Sequence, residues 1–187
     1  WTVRNPSSNI KVVEVSSNTG RIHTFTYDDS SLPHKWSLSE GSNPRTIVAW
    51  EETVGVGLTN KIREVRNGTT LLERTRVLQQ TLGDHQYVKE SSEGSGSSVR
   101  TTLYTLITAG AAIGRPSRID YPDGRWEVME YDDDARVTTR YQAYKDLEAP
   151  AAGVTPTAEN GGKIEFSYAK LGTGDATDRY FHPGRAR

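Results

Sequence analysis

The stretch GRWEVMEYDDDARV, residues 124–137, decides how the rest of the chain is interpreted. A glycine opens it, a tyrosine follows seven residues later, and an aspartate follows the tyrosine. Between the glycine and the tyrosine, large and polar side chains roughly alternate, as they do in a half-buried β-strand. The stretch can therefore be a single hairpin strand, an acidic site built on three consecutive aspartates, or one copy of a repeat.

The spacing from glycine to tyrosine occurs four times in the chain. The copies begin at Gly20, Gly114, Gly124 and Gly161 and end at Tyr27, Tyr121, Tyr131 and Tyr168. Two residues before each tyrosine stands a large apolar residue: Phe25, Ile119, Met129 and Phe166. Residues two apart in a strand share a face, so these pairs predict one buried face per strand. The repeat predicts a glycine that closes the preceding turn and a tyrosine whose hydroxyl reaches a polar partner.

The remaining sequence has the composition of short strands separated by turns. Helical spacing of apolar residues is almost absent, and runs rich in Thr, Val, Tyr and Ile are interrupted by Gly, Pro, Asn, Asp and Ser. The strand candidates are 10–16, 21–28, 34–40, 46–54, 60–66, 70–80, 85–92, 99–108, 116–121, 125–132, 136–144 and 163–170. Their short connections favour antiparallel neighbours. We expect an all-β fold, a curved or spiralling antiparallel meander of stacked hairpins with about a dozen strands.

Two turns have a specific chemical basis. Asn67-Gly68 joins 60–66 to 70–80, and both residues tolerate positive φ, which predicts a type I′ hairpin. In residues 122–124, PDG, proline presets φ and glycine supplies the left-handed position.

The chain of 187 residues is expected to be a single sheet fragment, residues 1–187. Residues 93–98 and 145–162 are predicted loops, because they are rich in Gly, Ser, Ala and Pro. Residues 171–187 are expected to be a tail or the beginning of a further unit.

The charge and composition argue against several functional classes. The net charge is −1 and the pI about 6.5, so the sequence predicts neither nucleic-acid binding nor attraction to an anionic membrane. The longest apolar run is too short to cross a bilayer, which predicts no membrane insertion. The absence of cysteine excludes disulfides and cysteine-based zinc sites.

The acidic residues near the quoted stretch allow two interpretations. Asp132, Asp133 and Asp134 could ligate calcium, but the EF-hand spacing is missing, and a turn whose aspartates cap backbone N–H groups is favoured. Glu127, Glu130 and Asp132 are the densest acidic set in a strand and provide the only motive for a hydrolase. Residues three apart lie on opposite faces of a strand, so Glu127 and Glu130 are not expected to act together. The sequence predicts no catalytic residue, no metal site and no cofactor.

The tryptophans leave a second function open. Trp36, Trp50 and Trp126 could stack on sugar rings if they are exposed on the sheet. If they are buried, they are ordinary large core residues, and this interpretation is favoured.

The segments GRIHTFTYD (20–28), GRPSRIDYPDG (114–124) and GRWEVMEYD (124–132) resemble the YD repeats, also called RHS repeats. In that pattern a Gly-Arg opens the strand and a Tyr-Asp ends it, as at Asp28 and Asp132. The sequence departs from the pattern at Pro122, at Ala135, where a glycine is expected, and at Ala169, which replaces the aspartate.

The resemblance implies stacked β-hairpins in a spiralling sheet that closes into a hollow shell in full-length proteins. Such shells enclose toxins in bacterial proteins, serve adhesion in the animal teneurins, and have been linked to carbohydrate binding. It implies that this chain is a non-catalytic structural module of a secreted or cell-surface bacterial protein. Its implied partners are neighbouring repeats or a protein that pairs through an open sheet edge.

Overall fold

A computed structural model describes residues 2–16, 22–41, 45–144, 149–151, 153–154, 156–157 and 161–168. The contacts between residues divide the chain into two compact units, Trp1–Leu103 and Tyr104–Arg187, where the sequence predicts a single fragment. We refer to them as the first and second units and describe each separately.

Thirteen strands occur in the described residues, and they pair in chain order from β1 to β13 with antiparallel neighbours. The predicted all-β antiparallel meander is therefore confirmed. The strands are β1 Thr2–Ser7, β2 Ile10–Ser16, β3 Ile22–Asp28, β4 Lys35–Glu40, β5 Arg45–Gly55, β6 Leu58–Asn67, β7 Thr70–Leu82, β8 His85–Gly94, β9 Arg100–Leu106, β10 Pro116–Asp120, β11 Trp126–Tyr131, β12 Val137–Gln142 and β13 Gly162–Glu165.

Strand β1 is absent from the sequence prediction. Its sequence, TVRNPS, contains Pro6, which argues against an internal strand because proline has no N–H to donate. Strand β1 stands at one end of the strand order, and its pairing with β2 is irregular between Arg4 and Ser7. An edge strand needs ladder bonds on one side only, so it tolerates the proline.

The turn predicted at Asn67-Gly68 needs correction in both position and type. Asn67 is opposite Thr70, so the two-residue loop is Gly68-Thr69 and not Asn67-Gly68. Gly68 has φ +58°. Thr69 does not have positive φ, since Ala135 is the only non-glycine residue with positive φ in the described part of the chain. A loop in which only the first central residue is left-handed is the type II′ arrangement, which takes glycine at that position. The hairpin between β6 and β7 is present as predicted.

The predicted loop at 93–98 is partly regular structure. Strand β8 continues to Gly94, and Gly96–Ser98 form one turn of 3₁₀ helix in which Ser98 N donates to Ser95 O at 3.1 Å. Only part of the 145–162 loop is described, and the 171–187 segment lies outside the described residues. The described residues contain no helix that is long and apolar enough to span a membrane.

Few apolar side chains are buried. In the described residues these are, besides Pro156, the side chains of Ile62, Val65, Ala112, Trp126 and Tyr141. A β-sheet with an apolar face normally buries that face against a second layer. Because so few apolar side chains are buried, most of the sheet surface that the described residues form is not covered by a second layer.

The second unit is organised around Trp126, which is 1% exposed. Gly161 lies so close that a Cβ atom there would be 2.7 Å from the indole Cη2. Pro150 and Pro156 take part in this unit as well: Arg118 Nη1 donates to Pro150 O at 2.5 Å, and Pro156 is fully buried. The second unit therefore buries its largest apolar side chain, and Gly161 forms part of the surface around it.

Candidate binding surface

Two of the repeat tyrosines close a hairpin in the same way. Tyr131, the last residue of β11, donates its hydroxyl to the carbonyl of Pro116 at 2.9 Å. Tyr168, three residues after β13, donates to the carbonyl of Val137 at 2.8 Å. Pro116 and Val137 are the first residues of β10 and β12. Each tyrosine therefore ties the end of one strand to the beginning of the strand before it.

An arginine stacks on each of these tyrosine rings. The Arg115 guanidinium lies 5.9 Å from the Tyr131 ring centroid, and that of Arg136 lies 5.0 Å from the Tyr168 centroid. A cation over an aromatic face is attractive by about 0.5–1 kcal/mol at exposed sites. Arg115 follows Gly114, so the Gly-Arg pair of one strand contacts the tyrosine of the next.

The other two tyrosines make different contacts. Tyr121 donates to Glu127 Oε1 at 3.3 Å, and the Arg125 guanidinium lies 5.3 Å from its ring centroid. Burial, followed by the negative charge of Glu127, raises the pKa of Tyr121. In the first unit, Tyr27 packs against Trp36 with ring centroids 5.4 Å apart. The four copies therefore share a strand pattern but not a single tyrosine contact.

The repeat glycines have two distinct roles. Gly114 and Gly124 have φ +78° and +83°, which is the left-handed conformation predicted for a turn. Ala135 also has φ +60°, and it lies in a turn with the same hydrogen bonds as the one closed by Gly124. Gly161 does not have positive φ, and its lack of a side chain makes room for Trp126. Gly20 lies outside the described residues.

The aspartates act as turn caps. Asp132 Oδ1 accepts from the backbone N–H of Asp134 at 3.0 Å and of Arg136 at 2.8 Å. The Arg136 backbone bond, together with the Arg136 guanidinium, holds the pKa of Asp132 below its ordinary value. Asp28 accepts from the hydroxyl and backbone N–H of Ser30, which lowers the pKa of its carboxyl group. In the described residues, no group of three or more His, Asp or Glu could hold a metal ion.

The large apolar residues of the repeat are less buried than predicted. Ile119, Met129 and Phe166 are half-buried, and Phe25 is 48% exposed. The sequence correctly places Phe25 and Tyr27 two residues apart on one face, but it cannot reveal whether a second layer covers that face.

The three tryptophans differ in accessibility. Trp126 is buried, in agreement with the favoured interpretation of the tryptophans as core residues, so its ring is not available to stack on a sugar. Trp36 is 50% exposed and lines a shallow groove of about 260 Å³ with Lys61, Arg63 and other residues of β5–β7. Trp50 is half-buried, and it lies opposite Lys35 on the other face of the sheet. Trp36 and Trp50 therefore do not form one aromatic line.

The three acidic residues considered as hydrolase candidates, Glu127, Glu130 and Asp132, are not brought together in one site. Glu127 is opposite Ile119 and Gln142, and it forms an ion pair with Arg140 at 2.9 Å. Glu130 points to the opposite face, as its spacing from Glu127 predicts. Asp132 lies in the turn described above.

The first unit also contains a buried ionic cluster that the sequence pattern does not predict. The Glu64 carboxylate is 1% exposed and accepts from Arg66 Nε and Arg74 Nε, each at 2.7 Å. Burial acts to raise the pKa of Glu64, but the hydrogen bonds from Arg74 and Arg66 outweigh it and the pKa is lowered. The alternating charges of KIREVR (61–66) and ERTRV (73–77) indicate ion pairs between neighbouring strands. They do not predict that two arginines bind one buried carboxylate.

Comparisons of the chain with protein-family models, with curated proteins and with solved structures find no match.

Proposed function

We propose that the chain is a non-catalytic structural module, a wall segment of a larger bacterial YD-repeat-like protein that is secreted or displayed on the cell surface. The observation that carries the proposal is the repeated hairpin closure. Tyr131 and Tyr168 donate to the first carbonyl of the preceding strand, and an arginine covers each ring. A tyrosine contact that recurs from one hairpin to the next is compatible with a sheet that grows by the addition of further hairpins. Scaffolding, enclosure of a toxin and adhesion are all compatible with such a wall.

The ends of the strand order support the same proposal. Strands β1 and β13 stand at the two ends of the order, and each has one neighbour among the described strands. An edge strand has backbone groups free to pair with a further strand. Neighbouring repeats of a longer parent chain are the partners that we propose for these edges.

The proposal can be tested in the source organism with an antibody raised against this chain. We expect the antibody to detect a polypeptide much larger than 20.7 kDa in the secreted or surface fraction. A free protein of that mass confined to the cytosol would contradict the proposal.

A second candidate function is carbohydrate binding, which is favoured by one observation. Tyr27 and Trp36 lie in contact on one face, and Trp36 lines the groove that also contains Glu51, Lys61 and Arg63. An aromatic ring beside hydrogen-bonding side chains can hold the apolar face and the hydroxyls of a sugar. Binding on a glycan array that Trp36→Ala abolishes would support this function if Ile22→Ala, which changes an exposed residue on the opposite face and outside the groove, preserves it. An array without binding would reject it.

A further inference from the structure

The hydroxyl group of Tyr131 has one proton and two neighbouring acceptors. It donates to Pro116 O at 2.9 Å, and the thioether sulfur of Met129, Sδ, lies 3.7 Å from the same hydroxyl oxygen. A thioether sulfur is a weak acceptor, whereas a backbone carbonyl is a strong one, so the carbonyl holds the hydrogen bond. The closure of the β10–β11 hairpin therefore depends on the difference in strength between these two acceptors.

Met129 is the only sulfur-containing residue of the chain, which has one methionine and no cysteine. It is half-buried in β11, so part of the residue is open to solvent. Oxidation of methionine to its sulfoxide is a common effect of peroxides, and reductases reverse it. Hydrogen peroxide is little larger than water and can reach a half-buried side chain.

The reaction is a two-electron oxidation of Met129 by hydrogen peroxide. A lone pair of Sδ attacks one peroxide oxygen, so an S–O bond forms and the O–O bond breaks. The departing hydroxide takes the proton from the new S–OH group and leaves as water. The product carries a polar S–O group, whose oxygen accepts hydrogen bonds, in place of a weakly accepting sulfur.

The position of Sδ determines what the new oxygen can contact. An oxygen that is added on the side of Tyr131 lies within the 3.7 Å gap between the sulfur and the hydroxyl oxygen. It therefore comes within the range of about 2.5–3.0 Å of an O–H···O hydrogen bond. At that distance the sulfoxide competes directly with Pro116 O for the single hydroxyl proton of Tyr131.

The geometry points to Met129 as a reversible, peroxide-sensitive modification site. Its sulfoxide takes the hydrogen bond of the Tyr131 hydroxyl away from Pro116 O and opens the closure of the β10–β11 hairpin. The inference goes beyond the proposed wall function and does not depend on it.

The copy of the repeat at 161–168 provides a matched comparison within the same chain. Tyr168 donates to Val137 O at 2.8 Å in the same arrangement, but the residue two positions before it is Phe166, which contains no sulfur. Peroxide is therefore expected to leave this closure unchanged. The backbone N–H of Phe166, which donates to Thr138 O at 2.9 Å, reports on it.

The test treats the full chain with dilute hydrogen peroxide and follows it by mass spectrometry and amide hydrogen exchange. We expect the gain of one oxygen atom at Met129, at a rate no more than about tenfold below that of a short methionine peptide in the same solution. Exchange of the β10 and β11 amides is expected to become about fivefold faster, the factor that one lost neutral hydrogen bond produces. Exchange of the Phe166 N–H is expected to change by less than about twofold.

Two variants separate the transfer of the hydrogen bond from other effects of peroxide. Met129→Leu keeps an apolar side chain of similar volume but cannot form a sulfoxide, so peroxide should leave its exchange unchanged. Tyr131→Phe keeps the sulfur but lacks the hydroxyl, so oxidation should change its β10–β11 exchange by less than about twofold. Circular dichroism verifies that both variants retain the sheet. Treatment of the oxidised wild type with methionine sulfoxide reductases should restore the original exchange.

Each of four results would overturn the inference. If Met129 in the folded protein stayed unoxidised while the peptide was consumed, the sulfur would be inaccessible. Unchanged β10–β11 exchange after complete oxidation would show that Pro116 O keeps the hydrogen bond. Equal acceleration in the oxidised wild type and the oxidised Tyr131→Phe variant would show that the sulfoxide acts without the hydroxyl. Equal acceleration at the Phe166 N–H would show a general loss of stability and not the opening of one hairpin.

Discussion

The two units differ in how far they bury the large apolar side chains of their strands. In the second unit, Trp126 is packed against Gly161, and Pro150 and Pro156 take part in the unit as well. In the first unit, the strands are longer, the buried residues centre on β6, and Phe25 and Trp36 remain about half exposed. The second unit buries its largest side chain, Trp126, whereas the large side chains of the first unit stay partly open to solvent.

The difference shows what a repeated strand pattern can and cannot determine. The same glycine-to-tyrosine spacing occurs in both units, and it positions the side chains on the faces of the sheet in the same way. Whether a side chain is buried depends on contacts that the local pattern does not specify, such as the close approach of Gly161 to Trp126. Stability is therefore expected to be concentrated at Trp126 in the second unit and along the strands in the first.

The largest effect is expected for Trp126→Ala. The substitution leaves a cavity at the centre of the second unit and should lower its free energy of unfolding by about 3–5 kcal/mol. Site-resolved amide hydrogen exchange would show the loss in β10–β12. Trp36→Ala is the matched substitution in the first unit, and it should cost far less because Trp36 is half exposed. Equal losses for the two variants would remove the contrast between the units.

A smaller loss is expected for Gly161→Ala. The new Cβ would stand 2.7 Å from the Trp126 ring, so the ring or the backbone must shift. Such overpacking costs about 1–3 kcal/mol, measurable by chemical denaturation. Gly162→Ala is the control, because Gly162 does not have positive φ and a Cβ there would meet Gln142 only at 3.5 Å or more, which is ordinary contact. A neutral Gly161→Ala would mean that the close approach of Trp126 is easily relieved.

In the first unit, Glu64→Gln should cost about 1–2 kcal/mol at pH 7, because the new amide would retain some hydrogen bonding but lose the charge, and the two arginines are partly exposed. Because the pKa of Glu64 is lowered in the folded state, its stabilisation is present above about pH 4.3 and is lost as the pH falls through the folded value. The difference in stability between the wild type and the variant should therefore shrink in acid. A pH-independent difference would show that charge is not responsible.

The smallest effect is expected for Tyr131→Phe, which removes the hydrogen bond to Pro116 O but keeps the ring under Arg115. The loss should be about 1 kcal/mol, confined to the β10–β11 hairpin and measured by the same hydrogen-exchange experiment. Tyr27→Phe is the comparison, because the contact seen for Tyr27 is its ring on Trp36. If both variants lost the same stability, the hairpin closure would have no special role.

The sequence predicts the strands well, because Gly, Pro, Asn and Asp separate runs of β-forming residues at short intervals. It predicts that Phe25 and Tyr27 share a face, and that Asp132 caps a turn. It fails at β1, where Pro6 hides an edge strand, and at Gly68-Thr69, where the loop is displaced by one residue. It favours burial of Trp126 but does not reveal that Gly161 lies against the ring, because this contact joins residues far apart in the chain and no local pattern encodes it.

The most direct test of the contrast between the units is ¹⁹F NMR of the chain labelled with 5-fluorotryptophan, with resonances assigned by single Trp→Phe substitutions. The solvent isotope shift on changing from H₂O to D₂O reports whether each indole contacts water. We predict a large shift for Trp36 and almost none for Trp126. Comparable shifts for these two tryptophans would contradict the account, because the second unit would then not be closed around Trp126.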